Sequence, residues 1–421
     1  MSRGEDFGPN FTKSKLILYI HLDFPREKYF PLGQAMSETT TNSGNLVTAL
    51  VSGATAASVT GLLTFPFDSI KTQQQLNNTA YASKWKIPGN YPSSIAQIYK
   101  GASALVVGGI FKSSTRLISF NWATKFMSLE SHDLHGHPVL KSSAPRIVIA
   151  GAIAGFMETI WLIPFENIKI TMIQNMSLQN ELTRCADANI RFNITGIVDS
   201  HHKPAQNIFT KQYISPHAYY TSKVLEQYKL GRSSSRFTSS NHFDSTDVLK
   251  RKLNKAPTQS MFGTISDIYK LRGISGFTQG TFITYIRQSA TSIVWFWTYN
   301  ATRQLIDPKK KESVDQQWFS NQHSMVTLLG LHLLSTLAVI AATQPIDVVK
   351  SHLQSKNGKL IYQDSLSTAY RLFSQQGFKS LFRGALPRGL KVLVSGGLTA
   401  TVYSYVEDIV NLAGTQNPFL S

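Results

Sequence analysis

Three times along the chain a proline is followed two residues later by an acid and, three residues after that, by a lysine. The copies are Pro66/Asp68/Lys71 in PFDSIK, Pro164/Glu166/Lys169 in PFENIK and Pro345/Asp347/Lys350 in PIDVVK. A single copy would mean little, because surface helices often set an acid three residues before a lysine as a local pair. Each copy here closes a long, mostly apolar segment, so the three mark an internal repeat. Repetition constrains the fold more than length does. A chain of 421 residues would otherwise read as two or three soluble domains.

The first apolar segment covers residues 46–65, with Gly53, Ala57 and Gly61 every fourth position, and ends at Pro66. Small residues at that spacing share one helix face and let helices approach closely in lipid. Proline removes a backbone donor, so each motif predicts a helix kink at Pro66, Pro164 and Pro345. A second apolar segment follows at 105–127. The pattern restarts at 146–163 with a partner at 281–305, and again at 326–343 with a partner at 385–410. Six helices in three pairs result: an all-α membrane protein whose helix-pair repeats surround a central cavity. No segment has an uncharged run of about 18 apolar residues, but charges are tolerated in membrane helices that face a bundle interior.

The repeats divide the chain into a disordered tail at 1–45, repeat 1 at 46–130, repeat 2 at 144–306, repeat 3 at 323–412 and a short tail at 413–421. Glycine pairs seven apart, Gly101/Gly108, Gly273/Gly280 and Gly377/Gly384, set a register for the second helices. On that register the second repeat is longer than the others by roughly 75 residues. The excess falls at about 178–257, read as a disordered or loosely ordered insertion because it lacks apolar periodicity. Its histidines, His201, His202, His217 and His242, lack metal-ligand spacing and read as solvated.

The formal charge of +18 and pI near 9.8 point to an anionic partner. Four residues beyond the second glycine stand Lys112, Thr284 and Arg388; seven beyond stand Thr115, Arg287 and Lys391, with Arg116 extending that face. Snorkelling to lipid headgroups explains Arg383 at a helix entrance. It does not explain Lys112, Arg116, Arg287 and Lys391, one to two turns inside apolar segments, where lipid exposure is costly. A cavity lined by these cations suits a di- or tricarboxylate, since guanidinium groups hold carboxylates bidentately. One cysteine, Cys185, excludes a disulfide framework. Nucleophile constellations, phosphate-cradling loops and metal motifs are missing from the sequence, so neither catalysis nor a cofactor or metal is expected. Basic residues are not interleaved with aromatics, and nucleic acid is not an expected partner.

The three motifs and six segments together resemble the mitochondrial carrier family, over roughly residues 46–412. Within it the chain is most similar to the tricarboxylate (citrate) carriers, through GFMETIWLIPFENIK, YIRQSA with Arg287 and Gln288, LFRGALPRGLKVLVSGG with Arg388 and Lys391, and the cations Lys112 and Arg116. The resemblance implies a monomeric, multi-pass exchanger of the mitochondrial inner membrane, in contact with lipid such as cardiolipin. Its substrate would be a small anionic metabolite such as citrate or a related di- or tricarboxylate. Alternatives are another anion, such as 2-oxoglutarate or a nucleotide, and a carrier-derived scaffold that binds an acidic partner through the basic insertion. The resemblance further implies a matrix gate of Asp68 with Lys169, Glu166 with Lys350 and Asp347 with Lys71, braced by Gln75 and Gln354. Ile173 stands where a third brace would be. The opposite gate departs from the family pattern, reading Phe120/Asn121/Thr124, Tyr299/Asn300/Arg303 and Tyr403/Ser404/Glu407. Trp295, His332 and Thr336 also stand where citrate carriers place other residues.

Overall fold

A computed structural model describes residues 43–77, 94–127, 129–132, 138–141, 144–187, 215–222, 224–225, 245–306, 325–362 and 364–415. Six long helices dominate: α1 (Ser43–Leu76), α3 (Ala102–Met127), α4 (Ala144–Asp187), α7 (Thr281–Ile306), α8 (Met325–Gln354) and α11 (Ala385–Thr415). They neighbour one another in that order, and α11 returns to α1. Short helices α2 (Ile95–Ile98), α6 (Met261–Arg272) and α10 (Ser365–Gln376) precede the second helix of each pair. Helices α5 (Ser245–Lys255) and α9 (Gly358–Ile361) lie at the same end. Strands β1 (Leu129–His132) and β2 (Pro138–Lys141) pair antiparallel between the first two repeats, a small addition to the all-helical expectation.

The bundle is apolar outside and polar inside. Val47, Leu63, Trp122, Phe126, Trp161, Phe282, Ile293 and Leu393 are exposed, whereas Ser52, Thr60, Thr64, Asp68, Glu158, Gln344, Asp347 and Arg388 are buried. That inversion suits a lipid surround, where exposed carbon costs nothing and polar groups must find partners within. Among the described residues two stretches, Leu46–Leu76 and Leu333–Gln354, are long and apolar enough to cross a membrane by composition alone, which corrects the expectation that no segment has so apolar a run. Pro66, Pro164 and Pro345 each lie inside a continuous helix.

The glycines correct the register expected for the first repeat. Gly101, Gly280 and Gly384 each stand just before the second helix of a pair, with φ of 98°, 79° and 77°. Gly108, expected to match Gly280 and Gly384, lies inside α3 instead, where an added Cβ would sit 2.7 Å from the Phe165 Cβ. Left-handed backbone, not glycine spacing, marks the equivalent point. Lys112 and Arg116 therefore lie farther along their helix than Arg287 and Lys391 do along theirs, and the cavity cations occupy two levels.

The span 178–257 also departs from expectation where it is described. Helix α4 continues to Asp187, and α5 forms at Ser245–Lys255. Between them Ser215 and residues 217–221 are buried, with His217 only 1% exposed. Within that span residues 188–214, 223 and 226–244, like the tails at 1–42 and 416–421, lie outside the described set. Burial, reinforced by the charge of Lys356, pushes His217 down to about 3. It is therefore neutral near pH 7, and its 3.9 Å approach to Glu181 is not an ion pair there.

Two predictions follow from local geometry. Gly384→Ala forces a side chain into left-handed backbone, with a Cβ 3.2 Å from the Lys71 carbonyl oxygen, and should cost more than about 1 kcal/mol. Gly155→Ala, on α4 with nothing within 4 Å of an added Cβ, should be neutral or gain up to about 1 kcal/mol. Thermal unfolding in detergent separates the two. The second concerns pH. The unfolded chain takes up a proton at His217 near its ordinary 6.5, and the folded chain only near 3. The contribution of His217 is thus full above pH 6.5 and is lost as pH falls toward 3, at about 1.4 kcal/mol per unit. Acidification from pH 7 to 5 should cost the parent about 2 kcal/mol more than it costs His217→Gln.

Candidate functional site

The three motif acids and lysines, far apart in sequence, meet where α1, α4 and α8 converge. Lys71 Nζ lies 2.5 Å from Asp347 Oδ2, Lys350 Nζ 2.5 Å from Glu166 Oε2, and Lys169 Nζ 3.6 Å from Asp68 Oδ2. Each pair joins a different two of the three helices, so together they close a ring. Gln75 donates to Asp347 Oδ2 at 3.1 Å and accepts from the Ser351 hydroxyl at 2.6 Å. Gln354 donates to Glu166 Oε2 at 3.4 Å. Ile173 instead packs with Phe65 and Ala102.

The second helices bring the cations expected to bind substrate. Lys391 Nζ donates to Asp68 Oδ2 at 2.6 Å, the same oxygen that faces Lys169. Arg287 Nη1 lies 3.6 Å from Asp347 Oδ1, while Lys71 holds the other oxygen of that carboxylate. Arg388, 7% exposed, donates to Gln344 Oε1 at 3.1 Å and Thr343 Oγ1 at 2.7 Å. Gln288 follows Arg287 and is half-buried. Thus Arg287 and Lys391 share their carboxylates with the ring.

Lys112 and Arg116 are held by a residue that sequence reasoning did not single out. Glu158 on α4 is 1% exposed and lies 3.2 Å from Lys112 Nζ and 3.8 Å from Arg116 Nη1. Its signal was present, since an acid inside an apolar run needs a cation or an aqueous cavity. The two cation side chains remain 41% and 46% exposed. Among the described residues, seven cations (Lys71, Lys112, Arg116, Lys169, Arg287, Lys350 and Lys391) therefore face four carboxylates (Asp68, Glu158, Glu166 and Asp347), and Arg388 adds an eighth cation held by neutral partners. The excess of positive charge sits among partly desolvated groups, where an anion gains most.

The departures on the other side of the bundle are less fully described. Thr124 donates to the carbonyls of its own helix at Phe120 and Asn121, and Phe120 packs with Ala123, Ala150 and Ala154. The side chains of Trp295, Tyr299, Asn300, Arg303 and His332 lie outside the described set. Among the described residues, His, Cys, Asp and Glu form no group able to hold a metal ion.

The family model described as mitochondrial carrier protein matches residues 42–131, 235–310 and 321–413, one match per repeat. The chain belongs to the mitochondrial carrier family. It is a transporter, not an enzyme, with its place in a mitochondrial membrane. An uncharacterized mitochondrial carrier of Saccharomyces cerevisiae is 28% identical over 86% of this chain and 96% of its own length. A mitochondrial citrate transporter of Aspergillus niger is 25% identical over 86% and 92%. A mitochondrial glycine transporter of Xenopus tropicalis is 26% identical over 48% and 66%.

The carrier's ring makes a stability prediction. Lys350→Met should cost about 3–5 kcal/mol by leaving Glu166 buried without its charge partner. Adding Glu166→Gln should restore much of that, because a neutral pair needs no compensation. A double-mutant cycle of thermal unfolding tests this; additive losses would mean that the pair contributes little.

Proposed function

We propose that this carrier exchanges small anionic metabolites across the mitochondrial inner membrane by alternating access, with a tricarboxylate such as citrate, or a related dicarboxylate, as substrate. The observation that carries the reading is the excess of cations over carboxylates along the interior, contributed by α3, α7 and α11. Arg287, Gln288, Arg388 and Lys391 form one level of the site, and Lys112 and Arg116 the other. The span between levels favours an anion with more than one carboxylate. The similarity to the Aspergillus niger citrate transporter supports this substrate class. The glycine transporter matches less than half of this chain, and glycine, with no net charge, would not offset the excess positive charge.

The three charge pairs act as the matrix gate, with Gln75 and Gln354 as braces. In the present state the gate is shut, while Lys112 and Arg116 remain reachable by solvent, which fits a cavity open to the opposite side. Arg287 and Lys391 contact both the cavity and the gate carboxylates. An anion that engages them withdraws them from Asp347 and Asp68, so binding and gate energetics are coupled. The protein works as a monomer within lipid.

Proteoliposomes loaded with citrate, 2-oxoglutarate or a nucleotide test the reading. Citrate exchange should be fastest, and Arg287→Ala and Arg388→Ala should each lower it by at least about tenfold, or about 1.4 kcal/mol. Glu158→Gln should lower the KM for citrate by about threefold to tenfold by releasing Lys112 and Arg116, and less for a dicarboxylate. Exchange of none of these anions, or parental exchange by Arg287→Ala, refutes it.

A further inference from the structure

One segment of the insertion is built into the gated end. Residues 218–220, which follow a turn closed by the Ala218 N–H on the Ser215 carbonyl at 3.3 Å, run between two asparagine amides. Asn254 on α5 accepts from the Tyr219 N–H at 2.7 Å and donates to the Tyr219 carbonyl at 2.8 Å. On the other side Asn357 donates to the Ala218 carbonyl at 2.7 Å and accepts from the Tyr220 N–H at 3.0 Å. This satisfies backbone groups that burial would otherwise leave unpaired.

The same segment reaches all three helices that carry the gate. His217 Nε2 is 2.5 Å from Asn77 Oδ1, just beyond α1. Gln174 on α4 donates to the Pro216 carbonyl at 3.5 Å and accepts from the Lys356 N–H at 2.9 Å. Lys356, just beyond α8, is 2% exposed; its Nζ donates to the His217 carbonyl at 2.8 Å and lies 4.7 Å from the Tyr219 ring centroid. Desolvation by burial, then the nearby charge of Arg272, holds this ammonium well below its ordinary range. A lysine so placed depends on the segment that covers it.

We infer that residues 215–222 form a latch that ties the ends of α1, α4 and α8 together and must release one or more of them before this end of the carrier opens. The inference rests on reading the three charge pairs as a gate. Breaking those pairs separates the same helix ends that Asn77, Gln174, Lys356 and Asn357 bind to one segment. The insertion would thereby set how readily the gate opens, independently of substrate charge.

The test is a Cys185→Ser carrier bearing Asn77→Cys and His217→Cys, bridged by a short bifunctional thiol reagent. Bridging should reduce citrate uptake by proteoliposomes to background and slow amide hydrogen exchange over residues 350–356 at least fivefold, both reversed by reductant. Uptake or exchange unaffected by bridging overturns the latch. If the unbridged protein takes up no anion, the transport reading fails by itself, and hydrogen exchange still decides the latch. Lys356→Met tests the opposite direction without cross-linking: amide exchange at Tyr219 and Tyr220 should accelerate at least tenfold, and unchanged protection overturns the proposal.

Discussion

Charge sharing inside an apolar-walled bundle is the constraint on which the rest of this structure depends. Among the described residues, three carboxylates of the long helices are held by two cations each: Asp68 by Lys169 and Lys391, Asp347 by Lys71 and Arg287, and Glu158 by Lys112 and Arg116. A buried carboxylate without a partner costs several kcal/mol (~3–5), so helices that contribute a charge are not free to rotate or slide independently. The ring order of the helices, the inward turn of their polar faces and their convergence at one end all satisfy that requirement.

On the proposed reading, the same sharing makes the candidate binding site and the proposed gate one electrostatic unit. Lys391 and Lys169 face a single oxygen of Asp68, and Arg287 and Lys71 divide Asp347 between them. A substrate anion cannot recruit the second-helix cations without changing the balance of the pairs between the first helices. Glu158 plays the corresponding part at the other level, where it pairs with Lys112 and Arg116. Strong electrostatic interactions can thus be exchanged for one another as the carrier changes state, rather than lost to lipid or water.

The insertion adds a second set of contacts at the end where α1, α4 and α8 converge, made from neutral hydrogen bonds. Asn254 and Asn357 bind the backbone of a short segment from either side, and His217 and Lys356 are buried with it. Deleting 178–257 would therefore remove part of the packed end, not an appendage, since α4 runs to Asp187 and α5 supplies Asn254 and Asp247.

Much of the architecture was legible in the chain because it is periodic. The prolines, acids and lysines of the three motifs recur at fixed offsets, and apolar segments ending at them require six long helices. The residues of the ring were readable for the same reason, since each motif repeats its acid and its lysine, whereas which acid meets which lysine was implied only by the resemblance to the carrier family. The level of Lys112 was not, because glycines seven apart look alike in sequence and only a positive φ distinguishes the one before a helix from the one within it. Glu158 was visible as an acid in an apolar run, but which cations it meets depends on the rotation of α4 against α3. His217 and Lys356 carried no periodic signal at all. Sequence alone determined the repeats, the helices and the charges that an interior must hold. Tertiary structure decided which charges share a partner and what covers the end where α1, α4 and α8 converge, because both depend on contacts between segments that no local pattern encodes.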